Sequence, residues 1–141
     1  MSAVYRFWAS LMALAVVVQI GLAGVGAFHA AKESDDHKTI TDDTFGSWFG
    51  PHVALGYLLV PAALVLALLS LVARGGRIKW SLIALGLFVA QVLLAWLAYG
   101  VPVLGFLHPI NALLILGTLG RIAHGEWRRP SQPPASPAPA V

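Results

Sequence analysis

The chain of 141 residues contains no cysteine. This absence excludes disulfides, thiolate metal sites and cysteine nucleophiles, so any redox centre would need other ligands. Charge is also scarce, because Asp, Glu, Lys and Arg make up only 11% of the residues whereas hydrophobic residues make up 58%. With so little charge, the stretches that lack it altogether indicate where the chain can be surrounded by apolar material.

Two long stretches lack Asp, Glu, Lys and Arg, one between Asp43 and Arg74 and the other between Lys79 and Arg121. A membrane-spanning helix needs roughly 20 apolar residues at about 1.5 Å per residue, so each stretch can hold at least one. A soluble protein would need charged surface there. The sequence predicts an integral membrane protein whose main partner is the lipid bilayer. Nucleic acid is excluded as a partner because the basic residues form short clusters beside apolar segments.

Four apolar segments predict four transmembrane helices joined by short connections. This pattern indicates an all-α, up-down-up-down four-helix bundle that occupies residues 1–125. The first segment is longer than the apolar region of a signal peptide, so we interpret it as a retained helix. Residues 126–141 are rich in Pro, Ser and Ala and are predicted to be disordered. No internal repeat is convincing. The predicted helices cover residues 4–28, 52–72, 80–99 and 102–122.

The basic residues predict the orientation of the bundle. The loop between helices 2 and 3 is basic, Arg6 opens helix 1, and Arg121 follows helix 4. These ends should face the cytoplasm, since Lys and Arg are enriched in cytoplasmic loops. The loop "KESDDHKTITDD" is mostly acidic and should face outward. Both termini are therefore expected to be cytoplasmic.

Two histidines are predicted to lie at similar depth in the membrane. His52 opens helix 2 and His108 lies in the first turns of helix 4, and ionisable residues at such positions suggest a function. Helices 2 and 4 are diagonal in this bundle, with axes about 11–14 Å apart. Two imidazoles reaching inward can hold one metal, or a flat macrocycle carrying one. No carboxylate or cysteine cluster completes a non-haem site, which favours haem.

Small and polar residues near these histidines are candidate contacts for a flat ligand. Gly56 lies one turn after His52, while Asn111 and Ala112 follow His108 at i+3 and i+4 on the same face. The alternative for such residues is ordinary helix packing. Other polar groups are interpreted structurally: His29, His37 and His124 are expected at the membrane surfaces, and Gln19 and Gln91 are expected to hydrogen-bond between helices.

The segment "QVLLAWLAYGVPVLGFLHPINALLILG" resembles part of one four-helix half of haem A synthase, the membrane enzyme that oxidises a haem methyl group. Each half of that family carries one histidine in its second helix and one in its fourth. The resemblance covers most of residues 50–120. A group of short bacterial four-helix membrane proteins is also similar, which implies a bacterial inner membrane. The matching residues are Gln91 and Leu94 in helix 3, Leu107, His108, Ala112 and Leu114 in helix 4, and His52 and Gly56 in helix 2.

The chain departs from haem A synthase in ways that bear on activity. It has one half instead of two. The glutamate and arginine that flank the helix 2 histidine in the family are replaced by Phe49 and Val53. The resemblance therefore implies haem binding without the synthase reaction, and no catalytic residue is predicted.

These observations predict a small membrane b-type cytochrome. His52 and His108 would be axial ligands of one haem b between helices 2 and 4, near the outer leaflet. The protein would relay electrons or hold haem, with a membrane redox partner or a second copy as partner. The alternative is a non-enzymatic four-helix subunit or scaffold whose histidines are structural.

Overall fold

The computed structural model of the protein describes residues 2–73 and 77–127. Within these ranges the chain is helical and contains no strand. Each α-helix is long and apolar enough to cross a membrane, α4 together with the 3₁₀ helix before it. The all-α, membrane-type four-helix architecture is confirmed. The elements are α1 (Ser2–Asp35), α2 (Asp42–Val72), α3 (Ile78–Gly100), a 3₁₀ helix (Pro102–Phe106) and α4 (Leu107–Trp127).

The helices pack in a ring in chain order. Helix α1 packs against α2 and α4, and α3 packs against α2 and α4. Helices α2 and α4 therefore lie diagonally across the bundle, as do α1 and α3. Neighbouring helices are antiparallel. One end of the bundle therefore holds the beginning of α1 and the end of α4, and the opposite end holds the α1–α2 and α3–α4 connections.

Helices α1 and α2 are longer than the hydropathy pattern predicts. They reach Asp35 and start at Asp42, whereas the apolar segments stop at 28 and start at 52. A capping box supports the early start of α2, since the Thr41 side chain accepts from the Thr44 backbone N–H and the Thr44 side chain bonds back to Thr41. The polar ends of this hairpin therefore continue as helix beyond the apolar core.

The fourth predicted helix divides into two parts. Residues from Pro102 to Phe106 form a 3₁₀ helix, and the α-helix starts at Leu107, immediately before His108. Pro109 therefore lies in the first turn of α4, where its missing N–H costs no intrahelical hydrogen bond. Helix α4 also continues to Trp127, past the predicted end of the membrane domain at 125. The rest of the predicted tail, 128–141, lies outside the described residues.

The densest packing occurs in the half of the bundle that holds the start of α1. Tyr5, Leu66 and Leu119 are almost completely buried there, and the Tyr5 hydroxyl lies 2.7 Å from the hydroxyl of Ser81, also buried. The guanidinium of Arg121 lies over the Trp80 ring at 4.3 Å, which adds a cation–π contact between α4 and α3. This half holds the bundle together and leaves the other half free to form a cavity.

Truncating a core side chain should destabilise the bundle more than truncating a lipid-facing one. Leu119→Ala removes atoms from a fully buried position and should lower the free energy of unfolding by about 2–3 kcal/mol through lost packing. Leu113→Ala is the matched control on the same helix, because Leu113 is 63% exposed. Unfolding in mixed detergent measures both. Equal losses for the two variants would contradict this packing.

Candidate haem-binding site

Each helical hairpin contains one glutamine–histidine pair, in which each side chain bonds to the backbone oxygen of the other residue. In the first Gln–His pair, His52 Nδ1 lies 3.0 Å from the Gln19 backbone oxygen, and Gln19 Nε2 donates to the His52 backbone oxygen at 2.6 Å. The second Gln–His pair joins α3 to α4 in the same way, at 3.2 Å from His108 Nδ1 to Gln91 O and 3.0 Å from Gln91 Nε2 to His108 O. The prediction that both glutamines hydrogen-bond between helices is confirmed.

These contacts determine the tautomer of both imidazoles. A backbone carbonyl only accepts hydrogen bonds, so the Nδ1 atoms of His52 and His108 must carry the proton and donate. The Nε2 atom of each neutral ring then keeps its lone pair. An N–H···O=C bond at one ring nitrogen is also the usual support for a histidine that binds a metal through the other.

The two imidazoles lie close together although their helices are diagonal. Their ring centroids are 6.2 Å apart and the ring planes are tilted by 58°. Two imidazoles on one metal ion place each nitrogen about 2 Å from the metal and each ring centre about 1 Å further, which gives about 6 Å between ring centres. The observed separation of His52 and His108 therefore fits a single metal between them.

The donor set restricts the kind of metal site. Among residues 2–73 and 77–127, no group of three or more His, Cys, Asp or Glu side chains comes together. A metal held by His52 and His108 would thus have two ligands of these types from the described residues, and its other ligands would come from elsewhere. A macrocycle with four in-plane nitrogens supplies that number, and axial histidines complete it.

A mostly apolar cavity of about 500 Å³ lies beside the two imidazoles, between all four helices. This volume is within the range of about 300–1,000 Å³ that small-molecule sites occupy. Of the predicted contacts, Gly56 and Ala112 line the cavity with the two histidines, and Asn111 does not. Phe49 and Val53 line it as well, at the positions of the glutamate and arginine of haem A synthase, so this part of the wall is uncharged.

The cavity lining repeats between the two hairpins. Counted from the glutamine, each hairpin contributes an aliphatic residue at +1 and alanine at +4; counted from the histidine, it contributes a small residue at +4 and an aliphatic one at +7. The repeat is not evident in the sequence because the glutamine and histidine are 33 residues apart in one hairpin and 17 apart in the other. The equivalent lining residues are Ile20 and Val92, Ala23 and Ala95, Gly56 and Ala112, and Leu59 and Ile115.

Asn111 serves the second Gln–His pair instead of the cavity. It is buried and donates from Nδ2 to Gln91 Oε1 at 2.6 Å and to the Leu87 backbone oxygen at 2.9 Å. The Asn111 amide therefore orients Gln91, and a ligand contact at Asn111 stays a prediction. The signal in the sequence was its i+3 spacing from His108, which places both residues toward α3.

Gly56 provides space for the first Gln–His pair. A Cβ atom built at Gly56 would lie 2.9 Å from Gln19 Nε2, closer than real Cβ contacts allow. The glycine therefore lets the Gln19 amide reach the His52 backbone oxygen across the helix surface. The equivalent position of the second hairpin is occupied by Ala112, which has a Cβ atom.

The remaining histidines lie away from the cavity. His29 stacks on Trp48 with ring centroids 5.5 Å apart, His37 occupies the α1–α2 turn with a φ of 56°, and His124 is exposed near the end of α4. The structure thus separates His52 and His108 from the other three.

Comparison with protein-family models, with curated proteins and with solved structures found no match. The resemblance to haem A synthase therefore depends on the motif residues alone, and haem binding stays a prediction that must be argued from the site.

Removing the Asn111 amide should weaken the α3–α4 hairpin. Asn111→Ala loses two hydrogen bonds and leaves Gln91 Oε1 without its partner, so the free energy of unfolding should fall by about 1–2 kcal/mol. Thr118→Ala is the control, because Thr118 bonds only to the Leu114 carbonyl of its own helix. Detergent unfolding of both variants tests the difference, and a larger loss for Thr118→Ala would contradict the role of Asn111.

Proposed function

We propose that the protein is a small membrane b-type cytochrome that holds one haem b between α2 and α4. His52 Nε2 and His108 Nε2 would be the axial ligands. The observation that carries the proposal is the pair of imidazoles 6.2 Å apart, each with Nδ1 tied to a backbone carbonyl and Nε2 available.

The repetition of the site supports a ligand with two equivalent faces. A planar macrocycle presents the same iron to both sides, and the two Gln–His pairs present the same donor from opposite helices. The apolar walls suit the porphyrin ring, and they hold the histidines in a medium of low dielectric. When bound, haem supplies one-electron chemistry at its iron.

The residues around the cavity support electron relay or haem holding in preference to catalysis. No Asp or Glu is among the described residues that line it. The protein's own contribution would then be to bind, orient and shield the haem. The backbone oxygens of Gln19 and Gln91, which accept from the Nδ1 atoms, would increase the basicity of the ligating Nε2 atoms. A membrane redox partner or a second copy of the chain would deliver or accept the electron.

The orientation that we propose puts both termini in the cytoplasm of a bacterial cell and the haem site toward the outer leaflet of the inner membrane. Its support is the basic character of the 74–79 loop and of the region after α4, against the acidic 32–43 segment.

A second candidate function is a non-enzymatic membrane subunit or scaffold. The observation that favours it is that the four Gln–His hydrogen bonds pair both histidine Nδ1 atoms and both glutamine Nε2 atoms with backbone oxygens, so the pairs tie helices together without a ligand. In this case the histidines would be structural and the purified protein would be colourless.

A reduced-minus-oxidised spectrum of the protein purified from haem-sufficient cells distinguishes the two candidates. We expect a Soret band and an α-band typical of bis-histidine haem, with one haem per chain. His52→Ala and His108→Ala should each change the spectrum, whereas His124→Ala, which alters an exposed histidine, should leave it intact. A colourless wild-type protein that shows no spectral response to added haemin would refute the cytochrome proposal.

Cysteine labelling tests the orientation cleanly because the natural chain has no cysteine. Ser34→Cys should react with a membrane-impermeant maleimide in intact cells, since it lies in the acidic hairpin that we place outside. Ser131→Cys should react only after the cells are permeabilised. The opposite pattern would reverse the proposed topology.

A further inference from the structure

The two Gln–His pairs differ at one atom. Gln91 Oε1 accepts a hydrogen bond from Asn111, which is itself anchored to Leu87 O. Gln19 Oε1 is buried and has no hydrogen-bond partner in the structure. The residue equivalent to Asn111, three positions after His52, is Leu55, which offers no donor. The Gln91 amide is therefore held at both ends and the Gln19 amide at one.

The backbone around the two histidines also differs. Pro51 directly precedes His52 inside α2, nine residues after the helix begins at Asp42, so α2 lacks the hydrogen bond to the Ser47 carbonyl at this point. Pro109 lies in the first turn of α4, where the N–H groups have no intrahelical partner in any case. A proline therefore interrupts a continuous helix beside His52, whereas the proline beside His108 lies at a helix start.

The unpartnered atom also gives the His52 ring an alternative hydrogen bond. Its Nδ1–H now donates to the Gln19 backbone oxygen, and Gln19 Oε1 is a second acceptor on the same residue. If the ring turns, its N–H can exchange one acceptor for the other instead of remaining unsatisfied in an apolar medium, where an unpaired donor is unfavourable. The corresponding atom near His108 differs, because Gln91 Oε1 already accepts a hydrogen bond from Asn111 and is held by it.

We propose that His108 is the permanent axial ligand and His52 the exchangeable one, so that the α2 side of the iron can take a neutral diatomic ligand such as carbon monoxide. This inference rests on the proposed haem binding. The step would be a ligand exchange, in which His52 Nε2 would release the iron, the neutral diatomic ligand would bind in its place, and no electron would be transferred. Phe49 and Val53 flank His52 with uncharged surface, which suits a neutral ligand better than an anion.

The test is carbon monoxide binding to the dithionite-reduced, haem-loaded protein, followed by its Soret shift. Wild type should bind carbon monoxide, and the complex should keep His108 as the ligand opposite. Leu55→Asn supplies the missing amide partner for Gln19 Oε1 and should slow binding about tenfold, the change given by one hydrogen bond of about 1.4 kcal/mol. Leu113→Asn is the matched control, because it makes the same chemical change at a position that is 63% exposed and does not line the cavity, and it should leave the rate of binding unchanged.

A second measurement needs no haem. In the apoprotein, NMR should show faster exchange with water for the His52 Nδ1–H than for the His108 Nδ1–H, and Leu55→Asn should reduce the difference. Absence of any haem spectrum would refute the proposed function together with this inference. A bis-histidine haem spectrum that does not respond to carbon monoxide, or equal Nδ1–H exchange at both histidines, would overturn the inference alone.

Discussion

In an apolar environment, a polar side chain in this bundle must find its hydrogen-bond partner within the protein, because no water is available to replace it. The Gln–His pairs satisfy this constraint by matching an imidazole N–H with a backbone oxygen and an amide N–H with another. Each pair fixes the register of its hairpin at that depth. It also fixes the direction of the Nε2 lone pair, and through it the relation between His52 and His108.

The bundle has a packed half and a half that contains a cavity. Around Tyr5, Leu66 and Leu119 the side chains are almost completely buried, and the Tyr5 and Ser81 hydroxyls bond to each other. Around the histidines, small residues stand beside large aromatic ones such as Phe49 and Trp96, and a cavity of about 500 Å³ lies between them. The space for a ligand is therefore at the end of the bundle opposite the Tyr5–Ser81 contact.

The two Gln–His pairs are nearly equivalent, and both their equivalence and their difference at Gln19 Oε1 bear on function. The equivalent pairs argue for a ligand with two similar faces, and the uncharged wall around Phe49 argues against the oxygenation chemistry of haem A synthase. The unmatched Gln19 Oε1 then distinguishes the two faces. The difference arises because Leu55 lies three residues after His52, at the position that Asn111 occupies after His108.

The sequence by itself determined the membrane location and the four helices, because charge-free stretches of this length have no other stable form than buried or lipid-facing helices. It also singled out His52 and His108 as candidate ligands, since ionisable residues at membrane depth are rare. It did not reveal the ends of α1 and α2, which depend on capping and continue past the apolar segments. Only the tertiary structure decided which nitrogen of each histidine is available, that Asn111 serves Gln91, and that the hairpins repeat. These features depend on hydrogen bonds between residues that are 17–33 positions apart in the chain. Helix packing brings such residues together, and the local sequence pattern does not show which of them meet.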